Sequence, residues 1–358
     1  MKKNYYFIFI TLISFLILDC GNEFDLSQLP IGQNNTSKFG DTTYIAVKPD
    51  WYGFNKPKDI IVGNEPLIYV ANKGNNEILC LDLSGKILGR SSRIKNPTAI
   101  AEDFLLDLIV CGEFDTTISN NTVTYGAIFR IKLFNSQNNI NAAEVRRVFF
   151  DKSKPNRRYT GVTVMSNNTY YITRTGPDNS STIDPDEAVL LFNHSDELLT
   201  PISNLKPNGT GLESISELTS ISVINPRITD FVFTQKGAVS LFKLQWITFI
   251  QTTNYSYFAS KFSPSTDGFI DILKINRFIQ PEDVTVDRSG NIFVIDSGKD
   301  SLFRFTSKGT EKYSFGGHGN GEGKFNQPCG VAFFDKTLYI ADTGNDRIVR
   351  FMLSIDLK

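Results

Sequence analysis

The chain has 358 residues, a formal charge of −1, 41% hydrophobic residues and 12% aromatic residues. This apolar content is sufficient for a core and excludes a disordered protein. The near-zero charge gives no sign of a field that would attract nucleic acid or a membrane surface. The only two histidines are His194 and His318, which restricts catalysis and metal binding by imidazole.

The N-terminus has the organisation of a secretory signal peptide. Two lysines precede an apolar run, residues 5–18, which is shorter than the ~20 residues that span a membrane. The run ends in the sequence LILDCG, which resembles a bacterial lipobox, although Asp19 stands where a small residue is usual. We predict that residues 1–20 are a signal peptide and that Cys20 is acylated. Multiple acyl chains would anchor the protein to a membrane of a bacterial cell envelope, outside the cytoplasm. An ordinary signal peptide with an incidental cysteine is the alternative.

Residues 21–41 are rich in Asn, Gln, Ser and Gly and are predicted to be a flexible tether to the domain at 42–358. Beyond Cys20 the chain has three cysteines, an odd number that cannot all pair internally. Cys80 and Cys111 lie within apolar strand patterns and are interpreted as small buried residues.

From residue 57 onward the chain repeats a unit of roughly 50 residues, a length typical of propeller blades. Each unit has a short apolar strand, a turn, a second strand that ends in a polar turn, and a third strand. The first strands are predicted at Pro57–Val62, Pro97–Ala101, Thr160–Val164, Thr219–Val223, Pro281–Val286 and Pro328–Phe333. The third strands are predicted at Glu77–Leu83, Ala127–Leu133, Ala188–Phe192, Val239–Leu244, Ser301–Phe305 and Arg347–Met352. Helical periodicity is absent, so the pattern indicates an all-β, six-bladed β-propeller.

A large apolar residue precedes several first strands by three positions. Phe54, Phe278 and Phe325 each stand in an F-x-x-P sequence, and Ile94 occupies the same place before Pro97. Proline suits the first residue of a strand, where no ladder hydrogen bond is lost. The apolar residue is predicted to fill the seam between neighbouring blades.

The last unit carries the sequences GEGKFNQPCGVA and LYIADTGNDRIVRF, which resemble an NHL repeat. The fifth unit is similar but has Ser301 where the family has arginine, and the first unit has Asn72 and Glu77 at two motif positions. The resemblance implies a six-bladed propeller and says little about function. Across the motif turn, Asp342 and Arg347 are predicted to form a structural pair, with Gly344 at a positive φ.

A propeller must close, because open first and last blades would expose strand edges. The last unit supplies three strands only, whereas residues 42–48 are strand-like and precede the first F-x-x-P sequence. We therefore predict that Thr42–Lys48 is the outer strand of blade six.

One face of the ring carries the candidate binding site. We define this looped face as the side with the turns between second and third strands and the starts of the first strands. Long insertions at 113–125 and 177–187 fall there, and loops on a rigid scaffold are common binding sites. The channel mouth on this face is predicted to be lined by Lys58, Thr98, Thr160, Thr219, Glu282 and Cys329.

These residues favour binding over catalysis, and no catalytic residue, metal or cofactor is assigned. Six-bladed relatives include a zinc-dependent amidating lyase and calcium lactonases, so a metal-assisted lyase or lactonase is the alternative function. Catalytic zinc needs about three protein ligands and calcium ~6–8 oxygens, whereas Glu282 is the one carboxylate placed at the mouth. Cys329 has no histidine placed beside it, and the acidic segment 177–187 is interpreted as a solvated loop rather than a calcium site.

The predicted partner is a protein, peptide or glycan, with the chain acting as a monomer. Some NHL domains bind RNA, and Lys152, Lys154, Arg157 and Arg158 form one basic connection between blades. Because the net charge is neutral and the predicted location is extracytoplasmic, we interpret that connection as a solvated loop and expect no nucleic-acid partner.

Overall fold

The structure is a computed structural model that describes residues 43–268 and 270–354. The predicted signal peptide, the predicted acylation site Cys20 and the predicted tether at 21–41 lie outside the described residues. No helix in those two ranges is long and apolar enough to cross a membrane.

The described chain forms six antiparallel sheets of four strands each, arranged in a ring. From the channel outward, blades one to three consist of Pro57–Val62, Ile68–Asn72, Glu77–Leu81 and Ile87–Arg90; Lys95–Glu102, Leu108–Ile118, Asn121–Lys132 and Glu144–Phe149; and Arg158–Val164, Tyr170–Thr175, Ala188–Phe192 and Leu198–Pro201. Blades four to six consist of Leu218–Val223, Phe231–Gln235, Leu244–Gln251 and Ser256–Ser260; Pro281–Val286, Ile292–Asp296, Ser301–Phe305 and Glu311–Gly316; and Gly330–Phe334, Thr337–Asp342, Arg347–Leu353 and Tyr44–Trp51.

The remaining elements lie in connections between strands. Lys206–Pro207 and Ser214–Ile215 form a two-stranded parallel pair, and Pro264–Asp267 is a single α-helical turn. Short 3-10 helices lie at Lys73–Asn75, Phe134–Ser136, Asp271–Leu273 and Thr343–Asn345. The prediction of an all-β, six-bladed propeller is therefore confirmed.

The ring is closed by an N-terminal strand, as predicted. Tyr44–Trp51 pairs antiparallel with Arg347–Leu353, so blade six contains strands from both ends of the domain. The strand runs three residues beyond the predicted end at Lys48. The innermost strands of the six blades contact one another in a closed circle around the channel.

The core is divided among the seams between blades. Six hydrophobic clusters occur among the described residues, and each joins two neighbouring blades. Phe278 packs between Trp246 of blade four and Phe303 of blade five, while Phe325 and Ile94 are buried in their own seams. Burial of each side chain of this size contributes about 1.5–3 kcal/mol. The predicted role of the F-x-x-P aromatic residues as seam fillers is confirmed.

The third strand of blade four does not occupy its predicted position. It begins at Leu244, whereas the predicted strand Val239–Leu244 falls almost entirely in a loop. The side-chain amide of Gln235 donates hydrogen bonds to the Ser240 hydroxyl and the Phe242 carbonyl, which hold the chain away from the sheet. Val239 is 48% exposed, so this apolar side chain is not part of the core.

The motif turn of blade six contains the predicted pair and a different use of glycine. Arg347 Nε donates to Asp342 Oδ2 at 2.8 Å, and Asp342 accepts the backbone N–H of Asn326. Gly344 is not at a positive φ; the left-handed residue in this turn is Asp346, with φ 51°. A Cβ at Gly344 would lie 2.6 Å from the Asn326 backbone oxygen, so the glycine permits a close approach of two loops.

Candidate functional site

The central channel contains two adjoining cavities. The channel cavity has a volume of about 270 Å³ and is lined by all six residues predicted for the mouth, including Cys329. The upper cavity, about 290 Å³, opens on the looped face and is lined by five of them together with Lys73, Glu113, Glu217 and Lys236 among others. The structure therefore brings the predicted residues together around one opening.

Glu282 is held between two lysines at the mouth. Its Oε2 accepts a hydrogen bond from Lys58 Nζ at 2.5 Å, and its Oε1 accepts one from Lys236 Nζ at 3.3 Å. Burial alone would raise the pKa of Glu282, but Lys58 and Lys236 together keep it below its usual value. Burial would likewise lower the pKa of Lys58, yet the negative charges of a Cys329 thiolate and of the Glu282 carboxylate hold it above its usual value. The pair is ionised at neutral pH.

The threonines at the mouth connect neighbouring blades. The hydroxyl of Thr98 donates to the backbone oxygen of Tyr159 at 2.9 Å, and that of Thr160 donates to Leu218 at 2.8 Å. The hydroxyl of Thr219 donates to the Pro281 backbone oxygen at 2.8 Å. Because each proton is used across a seam, these side chains stabilise the ring and offer a ligand only their acceptor lone pairs.

Two aspartates below the mouth were missed at the level of sequence. The predicted mouth has Glu282 as its one carboxylate, but Asp59 and Asp283 also line the channel cavity and are buried. Each carboxylate accepts the backbone N–H of the next residue and one from the adjacent blade, Ile100 for Asp59 and Val331 for Asp283. Both aspartates could have been found from the sequence, because each is the third residue of the P-x-D sequence that begins units one and five.

Burial dominates the titration of these aspartates. Desolvation raises the pKa of Asp59 to about 6, against the backbone hydrogen bonds that lower it. Desolvation, followed by the nearby Asp59 carboxylate, raises the pKa of Asp283 to about 8. Carboxylates engaged by backbone donors across seams serve to hold the ring and are poorly placed to coordinate a metal.

The two insertions on the looped face are ordered structures. The segment 113–125 is not a loop: it extends the second and third strands of blade two as a hairpin, paired as far as Ile118 and Asn121. The hairpin is long enough to stand beside the mouth, where Glu113 Oε1 accepts a hydrogen bond from Arg158 Nε at 2.9 Å.

The acidic insertion 177–187 is held by two buried arginines. Arg157 pairs with Asp184 and Asp186 at 2.8 Å each, and Arg174 donates to the Asp184 carboxylate at 3.1 Å. Glu187 accepts the Thr175 hydroxyl at 2.8 Å. Asp184 and Asp186 already have cationic partners, and Glu187 has donors on its Oε1 while its Oε2 is buried without a hydrogen-bond partner among the described residues. The segment is therefore a fixed wall with little capacity for calcium.

The basic connection between blades two and three is also internally paired. Lys154 forms an ion pair with Asp178 at 3.1 Å, and Arg157 and Arg158 form the ion pairs described above. Three of the four cations at 152–158 are therefore compensated by carboxylates rather than displayed to solvent.

No hydrogen bond joins a histidine to a cysteine within residues 43–268 and 270–354. His194 is exposed, and His318 Nδ1 lies 3.0 Å from an Asp300 carboxylate oxygen. The Cys329 thiol lies 3.4 Å from the Gln327 backbone oxygen. Among residues 43–268 and 270–354, no three His, Cys, Asp or Glu side chains are grouped as a metal site.

Solved structures share this architecture at low sequence identity. A luciferin-regenerating enzyme aligns with a TM-score of 0.59 and 10% identity over 87% of this chain and 95% of its own. An auxiliary nutrient binding protein from Bacteroides ovatus aligns with a TM-score of 0.59 and 12% identity over 88% of this chain and 78% of its own. A gluconolactonase from Xanthomonas campestris gives 0.55 and 10% over 88% of this chain and 98% of its own.

These likenesses define the fold, a six-bladed β-propeller, and at such identities nothing finer. No protein-family model and no curated protein sequence matches the chain.

Proposed function

We propose that this chain is an NHL-type, lipid-anchored β-propeller that binds a protein, peptide or glycan through its looped face without a metal. The observation that supports this most is the pairing of charged groups at the mouth. Glu282 is bonded to Lys58 and Lys236, and Glu113 is bonded to Arg158. A metal site or a general base needs carboxylates free to act, whereas paired charges make a stiff polar surface.

The rigidity of the looped face supports a binding role. The hairpin of blade two and the arginine-bound segment 177–187 both stand on this face, and both are held by hydrogen bonds within the ring. A preorganised surface loses little conformational entropy when a partner binds. Walls of this kind around a channel mouth can present roughly 800 Å² to a partner.

The metal-assisted lyase or lactonase is tested directly by an activity panel. We expect no turnover of lactone, ester or peptide substrates, with or without added calcium or zinc. We also expect the melting temperature to be unchanged by a chelator, since a tightly bound metal would stabilise the folded state by a few kcal/mol. Metal-dependent turnover that disappears in Glu282→Gln would overturn the proposal. An active Glu282→Gln protein would point to an enzyme site elsewhere, with the same consequence.

The lipid anchor is tested by substitution of the predicted acylated cysteine. The full-length protein expressed in a bacterium should partition into the detergent phase of a phase-separation extraction, and Cys20→Ala should move it to the aqueous phase. Two or more acyl chains are needed for stable anchoring, at ~0.8 kcal/mol per buried CH₂. Cys329→Ala is the matched control and should stay with the detergent. Aqueous partitioning of the unmodified protein would refute the anchor.

A further inference from the structure

Two charged side chains of the upper cavity remain without partners after all the pairs described above. Lys73 makes no hydrogen bond and no ion pair through its ammonium within residues 43–268 and 270–354, and the same holds for the carboxylate of Glu217 across those ranges. Both line the upper cavity. The other charged residues of this cavity, Lys58, Lys236, Glu282, Glu113 and Arg158, are engaged with one another.

The two unpartnered groups belong to opposite walls of the mouth. Lys73 begins the short 3-10 turn after the second strand of blade one, and Glu217 directly precedes the first strand of blade four. Inner strands contact in the circular order one, two, three, four, five, six, so blades one and four face each other across the channel. The cavity therefore has a positive group on one side and a negative group on the other.

The environment of Lys73 is unfavourable for an unpaired ammonium. The residue is half-buried, and burial, followed by the nearby ammonium of Lys58, lowers the pKa of Lys73 below its usual value. A partly desolvated cation without an acceptor is costly, and an anionic group from a ligand would relieve that cost. Glu217 is exposed and can accept a cation at the rim.

We propose that the upper cavity binds a zwitterionic ligand, a free amino acid or short peptide, with its carboxylate on Lys73 and its ammonium on Glu217. The volume of about 290 Å³ lies just below the range for small-molecule sites, ~300–1,000 Å³, and so fits only a small ligand. Charge-assisted hydrogen bonds at both ends would fix the orientation. This inference rests on the proposed binding function and selects the peptide class within it.

Equilibrium dialysis of the folded protein against a tripeptide mixture tests the proposal. Four forms of the same mixture are compared: free termini, N-acetylated, C-amidated, and capped at both ends. Free tripeptides should bind most tightly, with each cap weakening binding about tenfold. That ratio corresponds to ~1.4 kcal/mol for each lost charge contact.

Two substitutions assign the ends of the ligand. Lys73→Gln should weaken the free and N-acetylated forms about tenfold and leave the amidated form unchanged, because only the first two carry a carboxylate. Glu217→Gln should weaken the free and amidated forms and leave the N-acetylated form unchanged. Lys86→Gln, on the opposite face of blade one, and Glu144→Gln, on an outer strand, are exposed controls that should change nothing.

The outcomes separate this inference from the proposed function. If capped and free peptides bind equally, recognition of termini is wrong while peptide binding stands. If no form binds at 1 mM peptide, on the order of the weakest useful affinity, the zwitterion site is refuted. The proposed binding function is judged separately, by the activity panel, in which metal-dependent turnover would overturn it. Because neither the Lys73 ammonium nor the Glu217 carboxylate bonds to another side chain in the part of the chain that the structure describes, both variants should melt within a degree or so of the unmodified protein. A larger shift would contradict the free state inferred for these two side chains.

Discussion

Removal of the closing strand is expected to unfold the propeller under conditions in which the complete chain is folded. Tyr44–Trp51 covers the outer edge of blade six, and without it the strand Arg347–Leu353 would present unpaired backbone groups. The strand also carries two buried aromatic side chains. Tyr44 packs in the seam between blades five and six, and Trp51 packs in the seam between blades six and one.

The point substitution Trp51→Ala gives this expectation a magnitude. The Trp51 ring lies 5.9 Å from the Tyr339 ring, and the Arg350 guanidinium lies 4.2 Å from its centroid. A Cβ at Gly85 would lie 2.2 Å from the indole, so blade one also packs closely on this ring. Loss of a buried tryptophan side chain costs about 3–5 kcal/mol, which lowers the melting temperature of a large domain by about 6–20 °C.

Thermal unfolding followed by circular dichroism measures the effect. Phe134→Ala is the control, because Phe134 is a large aromatic residue that is 68% exposed and should shift the melting temperature by little. A chain lacking residues 1–51 should regain stability when a synthetic peptide spanning 42–53 is added, since a strand can add to a free sheet edge. Equal shifts for Trp51→Ala and Phe134→Ala would show that the strand does not close the ring.

The closing strand, like most of the fold, could be predicted because its signal is local. Strand length, the polar turn and the F-x-x-P sequence recur in every well-marked unit. The last unit supplies only three strands, so its fourth strand had to come from another part of the chain. The prediction for blade four failed for a local reason as well. Val239–Leu244 has the composition of a strand, but the Gln235 side chain holds most of it as a loop through hydrogen bonds. Apolar composition alone cannot reveal such bonds.

The candidate site was predictable in position and less so in chemistry. The start of each first strand placed Lys58, Thr98 and Glu282 at the mouth, and repeat register alone fixes that position. The roles depend on partners from other blades, which no local pattern specifies. Thr98 bonds a backbone oxygen of blade three, and Glu282 of blade five bonds Lys58 of blade one. For the same reason the unpartnered state of Lys73 emerges only from the assembled ring.

A pair of glutamates at the other end of the channel leads to a pH-dependent prediction. Tyr69 donates its hydroxyl to Glu65 Oε1 at 2.5 Å, and the backbone and side chain of Asn64 both donate to Glu102 Oε2. The second oxygens, Glu65 Oε2 and Glu102 Oε1, are buried without a hydrogen-bond partner among residues 43–268 and 270–354. Both lie at one point beside Gly63, where a Cβ would be 3.0 Å from the first and 2.6 Å from the second. Two such oxygens can bond each other only when one of them carries a proton.

The pKa shift fixes the direction of the pH dependence. Burial, and then the neighbouring Glu65 carboxyl, raises the pKa of Glu102 from 4.5 to about 8. The folded state therefore holds a proton that the unfolded state releases above pH 4.5. The stabilisation is complete below that value and is lost as the pH rises towards 8. The nearby thiol of Cys80 has a pKa raised to about 11, and burial raises that of Tyr69, so both stay protonated over this range.

Glu102→Gln is expected to stabilise the protein at alkaline pH, the opposite of most substitutions at buried positions. The amide can keep its oxygen on Asn64 and direct its N–H at Glu65 Oε2, which supplies a permanent donor where the unmodified pair needs a titratable proton. Removing one unsatisfied buried acceptor contributes about 1–3 kcal/mol. At pH 9 the variant should therefore melt several degrees above the unmodified protein, whereas at pH 5 the two should coincide.

The measurement is the difference in melting temperature between variant and unmodified protein at each pH from 5 to 9. Asp59 and Asp283 also have raised pKa values, about 6 and about 8. They lower the stability of both proteins by the same amount as the pH rises, so their effect cancels in the difference. Glu144→Gln, at an exposed position of an outer strand, should give no pH-dependent difference. A Glu102→Gln protein that melts lower than the unmodified protein at pH 9 would mean that the two glutamates do not share a proton. The Glu102 carboxylate would then have to contribute to stability in its ionised form.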